Sequence, residues 1–360
     1  MRKRDRIVSK IKAKYWCTTH KFGIEVPKSV SEAYQIDQGT GTTLWTDAIS
    51  KEIKNVRVAF EKLDDISEEQ MRSGKVKPRY KHVSTHMVFN IKMDGKFTRK
   101  ARLVADGHKT DTPSSITYSS VVSRDSIRLA LMLASLNGLD IAACDIGNAY
   151  LNADCREKLW TVAGPEFGSD NGSVMIIARA LYRLKSSGAT WRAKLAEALS
   201  AMGCKSCEAD PDVWMRRAVK PTSEEYWAYM LCYVDDCLHI HHDPKIDFTI
   251  LNGHYQLKDG FGAPDRYLGA NVEKVQLHDG STAWSMTCVD YLKGAITNVN
   301  NLLEEENTAL KMFRDGKRPY PSSYRPEIDV SPLLDNTLIQ RYQHLIGMVP
   351  SLCTHLHNCL

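Results

Sequence analysis

The residues Tyr233-Val234-Asp235-Asp236 place two adjacent carboxylates between the apolar runs Trp227 to Cys232 and Cys237 to Ile240. Apolar runs flanking a short polar break predict a strand, a turn and a strand, with the acids at the tip. Neighbouring acids in an apolar hairpin repel and are costly to desolvate unless a cation offsets them. Mg²⁺ does this, because it takes carboxylate oxygens and then binds phosphate oxygens on its open face, which is the chemistry of phosphoryl transfer. Two such ions, about 3.5 to 4 Å apart, need a further carboxylate from elsewhere in the chain. Asp145 is the candidate: it ends the short apolar segment Leu139 to Cys144 and is followed by the turn-forming Gly147-Asn148. Alone, an aspartate there would read as the N-cap of a helix starting at Ile146. Its pairing with Asp235 and Asp236 favours a shared cation site.

The elements around these acids follow from periodicity. A helix is predicted from Leu44 to Leu63, with Trp45, Ala48, Ile49 and Ile53 on one stripe. Another runs from Ser123 to Asn137, where Ile127, Leu129, Leu131, Met132, Leu133 and Leu136 cover one broad face and Gly138 stops it. His86 to Ile91, Asp94-Gly95 and Phe97 to Ala105 predict a hairpin with an Asp-Gly turn. Further helices are predicted near Thr190 to Met202, from Cys288 to Leu303 and from Thr337 to His357. A strand, a helix and then the Tyr226 to His241 hairpin give the order of a split β-α-β sheet, with Asp145 and Asp235 on neighbouring strands. The fold class is α+β.

At 360 residues and 43% apolar content the chain can bury more than one core. No apolar run approaches the roughly 20 residues that cross a bilayer and no signal peptide opens the chain, so a soluble intracellular protein is expected. Ten cysteines without a repeating framework, several within apolar runs, fit reduced core thiols. Cys204 and Cys207 lack a partner pair, and Cys353-Thr-His-Leu-His-Asn-Cys359 packs its ligands too closely to surround one zinc ion. His239, His241 and His242 read as one strand of the hairpin.

The net charge of +5 is modest, but it is concentrated. Arg72, Lys75, Lys77, Arg79, Lys81, Lys92, Lys96, Arg99, Lys100, Arg102 and Lys109 face only Asp94 and Asp106 within their stretch, a positive lobe suited to a triphosphate or a nucleic-acid backbone. The first fourteen residues are basic as well, which fits a nuclear-localisation or nucleic-acid tail, or equally a disordered leader.

Asp145-Ile-Gly-Asn-Ala-Tyr150-Leu151 together with Tyr233-Val-Asp-Asp236 resembles the first and third catalytic motifs of reverse transcriptases. Further blocks resemble, in order, those of the copia-type LTR-retrotransposon polymerase: Lys100-Ala-Arg-Leu-Val-Ala105, Tyr118-Ser-Ser-Val-Val122, Ser126-Ile-Arg128, Leu181-Tyr-Arg-Leu-Lys185 with Trp191, Asp210-Pro211, Tyr267-Leu-Gly269 and Tyr342-Gln-His-Leu-Ile-Gly347. The resemblance implies a right-hand polymerase with fingers, a ferredoxin-like split β-α-β palm and a partial helical thumb. Residues 1–60 would be a basic leader and N-terminal helix, 61–275 fingers and palm, and 276–360 a truncated thumb-like segment. It also implies an RNA-directed DNA polymerase that joins a dNTP to a primer 3′-hydroxyl. Asp145, Asp235 and Asp236 would hold two Mg²⁺, with Mn²⁺ as a substitute. Lys100, Arg102, Tyr150, Lys185 and Ser186 would meet the incoming dNTP, with Tyr150 against its sugar, where it excludes a 2′-hydroxyl. Tyr267, Leu268 and Gly269 would grip the primer. The implied partners are an RNA template, a DNA or RNA primer, dNTPs, and RNase H and integrase parts of a longer polyprotein, with no membrane. The implied setting is a cytoplasmic virus-like particle with nuclear entry.

Tyr182-Arg183-Leu184-Lys185-Ser186-Ser187-Gly188 departs from the family pattern Tyr-Gly-Leu-Lys-Gln-Ser-Pro, and two of the departures bear on the site. Ser186 stands where a glutamine is expected near the nucleotide, and its hydroxyl cannot replace the amide's donor and acceptor pair. Arg183 replaces a glycine, which is costly if that position needs a positive φ. The chain also ends before the RNase H domain that follows in the family. Three readings result: a polymerase piece with its acids intact, a catalytically silent nucleic-acid-binding remnant of a decayed element, or another two-metal enzyme such as a nuclease, which suits the ordered blocks less well.

Overall fold

A computed structural model describes residues 20–21, 24–92, 96–111, 113 and 117–305. Strands β1 (His20–Lys21) and β2 (Ile24–Glu25) pair ahead of two helices, α1 (Val30–Thr40) and α2 (Leu44–Val56). The buried Asp37 carboxylate of α1 accepts the Trp45 and Thr46 backbone N–H groups at 3.1 and 2.7 Å, so one helix caps the start of the next. Helix α1 was not among the elements expected from the sequence. The stripe of α2 is as expected, with Trp45 and Ile49 buried and Ala48 and Ile53 packed against them. Its end is not: the helix stops at Val56 rather than Leu63. Phe60–Lys62 forms β3, whose Phe60 is buried opposite Ile177. Tertiary pairing overrides local helical periodicity there.

After α3 (Glu68–Arg72) and β4 (Lys81–His82) comes the expected hairpin of β5 (Thr85–Ile91) and β6 (Arg99–Ala105), paired from Thr85 opposite Ala105 to Ile91 opposite Arg99. Its Asp94-Gly95 turn lies outside the described residues. Helix α4 (Arg124–Leu136) is capped by Ser123 and stopped at Gly138, which has φ +58°. Asp210 reaches the same cap, accepting the Ser123 N–H at 2.9 Å and the Ser126 hydroxyl at 2.6 Å. The broad apolar face expected for α4 is narrower. Ile127, Ala130, Leu131 and Ala134 are buried, whereas Leu129, Met132 and Leu136 are 55%, 50% and 74% exposed, because alanines complete the inward stripe at helical spacing.

Strand β7 (Asp140–Ile146) follows, then β8 (Leu159–Val162) and β9 (Val174–Ile177), which join a four-stranded sheet in the order β3-β9-β8-β4. The chain continues through α5 (Ser187–Ala201), β10 (Lys205–Ser206), β11 (Val213–Val219), β12 (Glu225–Tyr233), β13 (Asp236–His241), α6 (Lys245–His254) and β14 (Leu257–Gly262). A six-stranded antiparallel sheet results, ordered β10-β11-β12-β13-β7-β14. Within it β7, α5, β12, β13, α6 and β14 alternate as β-α-β-β-α-β, with the first strand between the third and fourth. One face packs on α5 and α6 through Trp191, Leu195, Leu199, Phe248 and Leu251. The other packs on α4 and on a smaller sheet of β15 (Arg266–Tyr267), β16 (Ala270–Gln276) and β17 (Thr282–Thr287). Helix α7 (Val289–Glu305) ends the described chain.

The expected helix from Thr337 to His357, the Tyr342–Gly347 block, the Cys353–Cys359 cluster and the basic first fourteen residues lie outside the described residues. Among those described, no helix is long and apolar enough to cross a membrane. His239 and His241 lie on β13 as expected, whereas His242 falls just beyond its end, where its backbone N–H donates to the Tyr226 hydroxyl. His239 is buried with Nε2 2.9 Å from Asp247, which Arg216 also holds at 2.6 Å.

Candidate active site

Antiparallel pairing sets Asp236 directly opposite Asp145, and Asp145 directly opposite Lys258 on β14. Side chains directly opposite on neighbouring strands share a face, with Cβ atoms about 4.5 to 5.5 Å apart. The three therefore form a row, acid, acid and amine, at one end of the sheet. Asp235 sits one step on, in the turn, and its carbonyl accepts the Ile146 N–H at 2.8 Å. The register thus brings together the three acids picked from the sequence.

The turn is under strain. Val234 has φ +57°, a region that β-branched residues avoid. The Trp191 indole N–H of α5 donates to its carbonyl at 2.8 Å and holds it there. Below the acids, Cys232, Cys237 and Cys144 lie opposite one another across β12, β13 and β7, facing α5 and α6. A buried apolar floor thus underlies a cluster of like charges. Its electrical consequence is clear in the carboxyls: burial and the charges of Asp235 and Asp145 push Asp236 up to about 6, and burial with Asp145 raises Asp235.

Lys258 partly offsets this crowding. Its Nζ lies 2.6 and 2.9 Å from the two carboxylate oxygens of Asp145. Among the described residues no three His, Cys, Asp or Glu side chains converge as a ready-made chelate. The donor chemistry nevertheless fits a hard cation: carboxylate oxygens alone, crowded, with an ammonium already standing against one of them.

The remaining candidate residues divide in two. Arg102 and Tyr150 lie beside the acids. The charge of Asp235 follows burial among the causes that raise the Tyr150 phenol, and Arg102 acts in the opposite sense. Lys100 neighbours Lys258, and burial first, then Arg102, Lys92 and Lys258, lowers its amine. Lys185 and Ser186 turn elsewhere. The Lys185 amine bonds the Thr110 carbonyl, and the buried Ser186 hydroxyl donates to Glu157 at 2.7 Å. Arg183 occupies φ +68°, so the position usually held by glycine does need the left-handed region. Tyr267 is buried in the core, and its hydroxyl has no hydrogen-bond partner. Leu268 and Gly269 make a tight turn with φ +48° and +84°.

Lys258 and Glu52 acquire importance only in three dimensions, and Tyr182 and Trp191, present in the sequence as parts of a block, take specific roles only there. Strand β14 carries Gly260 at φ +80° and a register shift between Lys258 and Phe261, so its sequence reads as a turn and conceals the lysine's place in a strand.

The Transposon Ty1-BL and Ty1-DR4 Gag-Pol polyproteins of Saccharomyces cerevisiae are each 38% identical over 111 residues, 30% of this chain. That stretch covers 6% and 7% of those polyproteins. Residues 74–311, which include the acid row, the strained turn and the lysine beside it, match the family described as reverse transcriptase (RNA-dependent DNA polymerase). With most of its length within that match, the chain belongs to the reverse transcriptase family.

Proposed function

We propose that the chain is an RNA-directed DNA polymerase of copia type, adding deoxynucleotides to a primer 3′-hydroxyl on an RNA template. The observation that carries this is the register that sets Asp236 against Asp145 with Asp235 at the adjoining turn. In this reading the six-stranded sheet is the palm, β5 and β6 with the four-stranded sheet are fingers, and the chain from about residue 276 is thumb-like.

Asp145, Asp235 and Asp236 would hold two Mg²⁺, with Mn²⁺ able to substitute. When bound, such ions lower the pKa of the attacking hydroxyl and neutralise charge on the triphosphate and leaving pyrophosphate. The chain's own residues do the rest. Lys258 supplies cationic charge to Asp145 and would compete with a metal ion for its carboxylate oxygens. Arg102 and Lys100, on a strand beside the acids, attract the triphosphate, and Tyr150 meets the sugar. Lys185 and Ser186 hold the adjoining loop in its fold. Tyr267, Leu268 and Gly269 form the turn assigned to the primer end. The basic lobe binds template and primer through phosphates, with marked salt dependence. RNase H and integrase parts of a longer polyprotein are the expected partners.

A second reading, a silent nucleic-acid-binding remnant, draws on Ser186, which is tied to Glu157 and cannot supply an amide to a nucleotide. Primer extension on poly(rA) with oligo(dT), dTTP and Mg²⁺ separates the two. Extension that disappears with Asp235→Asn is the expected result. A folded wild-type chain that binds the primer-template but does not extend it would overturn the polymerase reading in favour of the second.

A further inference from the structure

We propose that Tyr182 is a positioning residue for sugar selection: its ring, in contact with both the Arg102 guanidinium and the Tyr150 ring, holds Tyr150 where the incoming ribose must pass. The inference rests on the reading of Tyr150 as the residue that meets the sugar.

Three aromatic and cationic groups form a continuous stack. The Arg102 guanidinium carbon lies 4.2 Å from the centre of the Tyr182 ring. The Tyr182 and Tyr150 rings meet edge to face, 5.2 Å apart at 81°. Both geometries are attractive, since a cation favours the ring face and a ring edge favours another ring's face. Tyr150 sits on the short turn of helix Ala149–Asn152 after β7 and packs, half-buried, against the core that includes Ala149 and Trp191. The contact with Tyr182 adds a restraint on the ring from outside that core.

Tyr182 is itself fixed by backbone. Among the described residues β6 pairs with β5 alone, so its outer edge needs other partners. The Leu103 N–H donates to the Glu52 carboxylate of α2 at 2.9 Å, and the Ala105 N–H donates to the Tyr182 carbonyl at 3.1 Å. The loop that carries Tyr182 is thus stitched to the strand that carries Arg102. It reaches that strand because Gly107 has no side chain: a Cβ there would lie 2.2 Å from the Arg183 carbonyl oxygen. Arg183, at φ +68°, then turns the chain away, leaving the Tyr182 ring over Arg102.

The test compares full-chain variants on poly(rA) primed with oligo(dT), measuring kcat/KM for dTTP and for UTP. Tyr182→Leu removes the ring and is expected to lower the dTTP:UTP preference roughly threefold to tenfold, the worth of one edge-to-face pair, mainly by raising kcat/KM for UTP. Tyr182→Phe keeps the ring and should stay within about twofold of wild type. In a Tyr150→Ala background, Tyr182→Leu should change the preference no further. If Tyr150→Ala lowers the preference and Tyr182→Leu does not, the positioning role is refuted while the sugar reading stands. If Tyr150→Ala changes nothing, both fall together. A further drop on adding Tyr182→Leu to Tyr150→Ala would mean that Tyr182 acts independently of Tyr150, which also refutes the proposal. Should Tyr182→Leu fail to fold, Arg102→Met removes the other contact on the Tyr182 ring and must lower the same preference; an unchanged ratio there counts against the proposal.

Discussion

Replacing Gly107 by alanine tests the close approach that brings the Tyr182 loop against β6. The φ of Gly107 lies outside the left-handed region, so alanine adopts its backbone freely and contact alone decides the outcome. The new Cβ would meet the Arg183 carbonyl oxygen at 2.2 Å, the Leu184 Cα at 3.0 Å and the Arg183 carbonyl carbon at 3.1 Å, all backbone atoms that cannot rotate away. Overpacking of this kind costs about 1 to 3 kcal/mol. Moving the loop also breaks the Ala105 to Tyr182 hydrogen bond, worth about 0.5 to 1.5 kcal/mol. Alanine's smaller unfolded-state freedom returns about 0.4 to 1 kcal/mol, so the net loss centres on about 2 kcal/mol. A thermal melt should fall by roughly 4 to 8 °C. The companion Arg183→Gly should stabilise slightly: left-handed strain of about 1 to 2 kcal/mol is relieved, against about 0.5 to 1 kcal/mol of added chain freedom. Because the clashing atom is main chain, Arg183→Gly should add only its own small increment to the Gly107→Ala chain. A Gly107→Ala melt within 1 °C or so of wild type, or full rescue by Arg183→Gly, would refute the close-approach argument.

Charge placement gives three more expectations. Asp236 is raised to about 6, so its protonated form is the one the fold favours, and the associated stability is present below about pH 4 and lost as pH rises through about 6. Metal-free Asp236→Asn should therefore melt higher than wild type at pH 8 but not at pH 4, by about 1 kcal/mol once partial exposure is discounted; equal melts at pH 8 would contradict the crowding. Burial pushes Asp247 up, but hydrogen bonds and charge from His239 and Arg216 more than reverse this, to about 2, so its stabilisation is present above about pH 4 and lost as pH falls through about 2. Asp247→Asn should cost about 3 kcal/mol at pH 7 and progressively less toward pH 2; a pH-independent deficit would show that the carboxylate's charge is not what matters. Lys258→Met should cost under about 1 kcal/mol of stability, since the ion pair is half exposed. It should tighten Tb³⁺ or Mn²⁺ binding by removing a competitor from Asp145; weaker binding would argue against that competition.

What the sequence could disclose depended on how local each signal was. The acids were legible because strand periodicity and the candidate site residues coincide within one short hairpin and one strand, and alternation fixes the face that Asp145 and Asp236 occupy. Lys258 was not, because β14 is interrupted by a bulge and a left-handed glycine, both of which read as a turn. The end of α2 was misplaced because Phe60 answers to β9, far along the chain, rather than to its own helix. The outer half of α4 was misassigned because leucine and methionine look like core in any window, while Ala130 and Ala134, small enough for close packing, actually face inward.

The same distinction explains how a costly site survives. Repelling carboxylates and a valine in the left-handed region both disfavour the Val234-Asp235 turn, and neither is relieved locally. The restraint comes from elements remote in sequence. Trp191 on α5 grips the turn's carbonyl, the buried cysteine row of β12, β13 and β7 fills the space beneath, and Lys258 on the edge strand supplies opposite charge. The tryptophan and the cysteines belong to the packed core itself, so that core over-determines the turn and its strain can persist. Loosening that packing, for instance by Trp191→Phe, should therefore relax the acids apart before it unfolds the sheet.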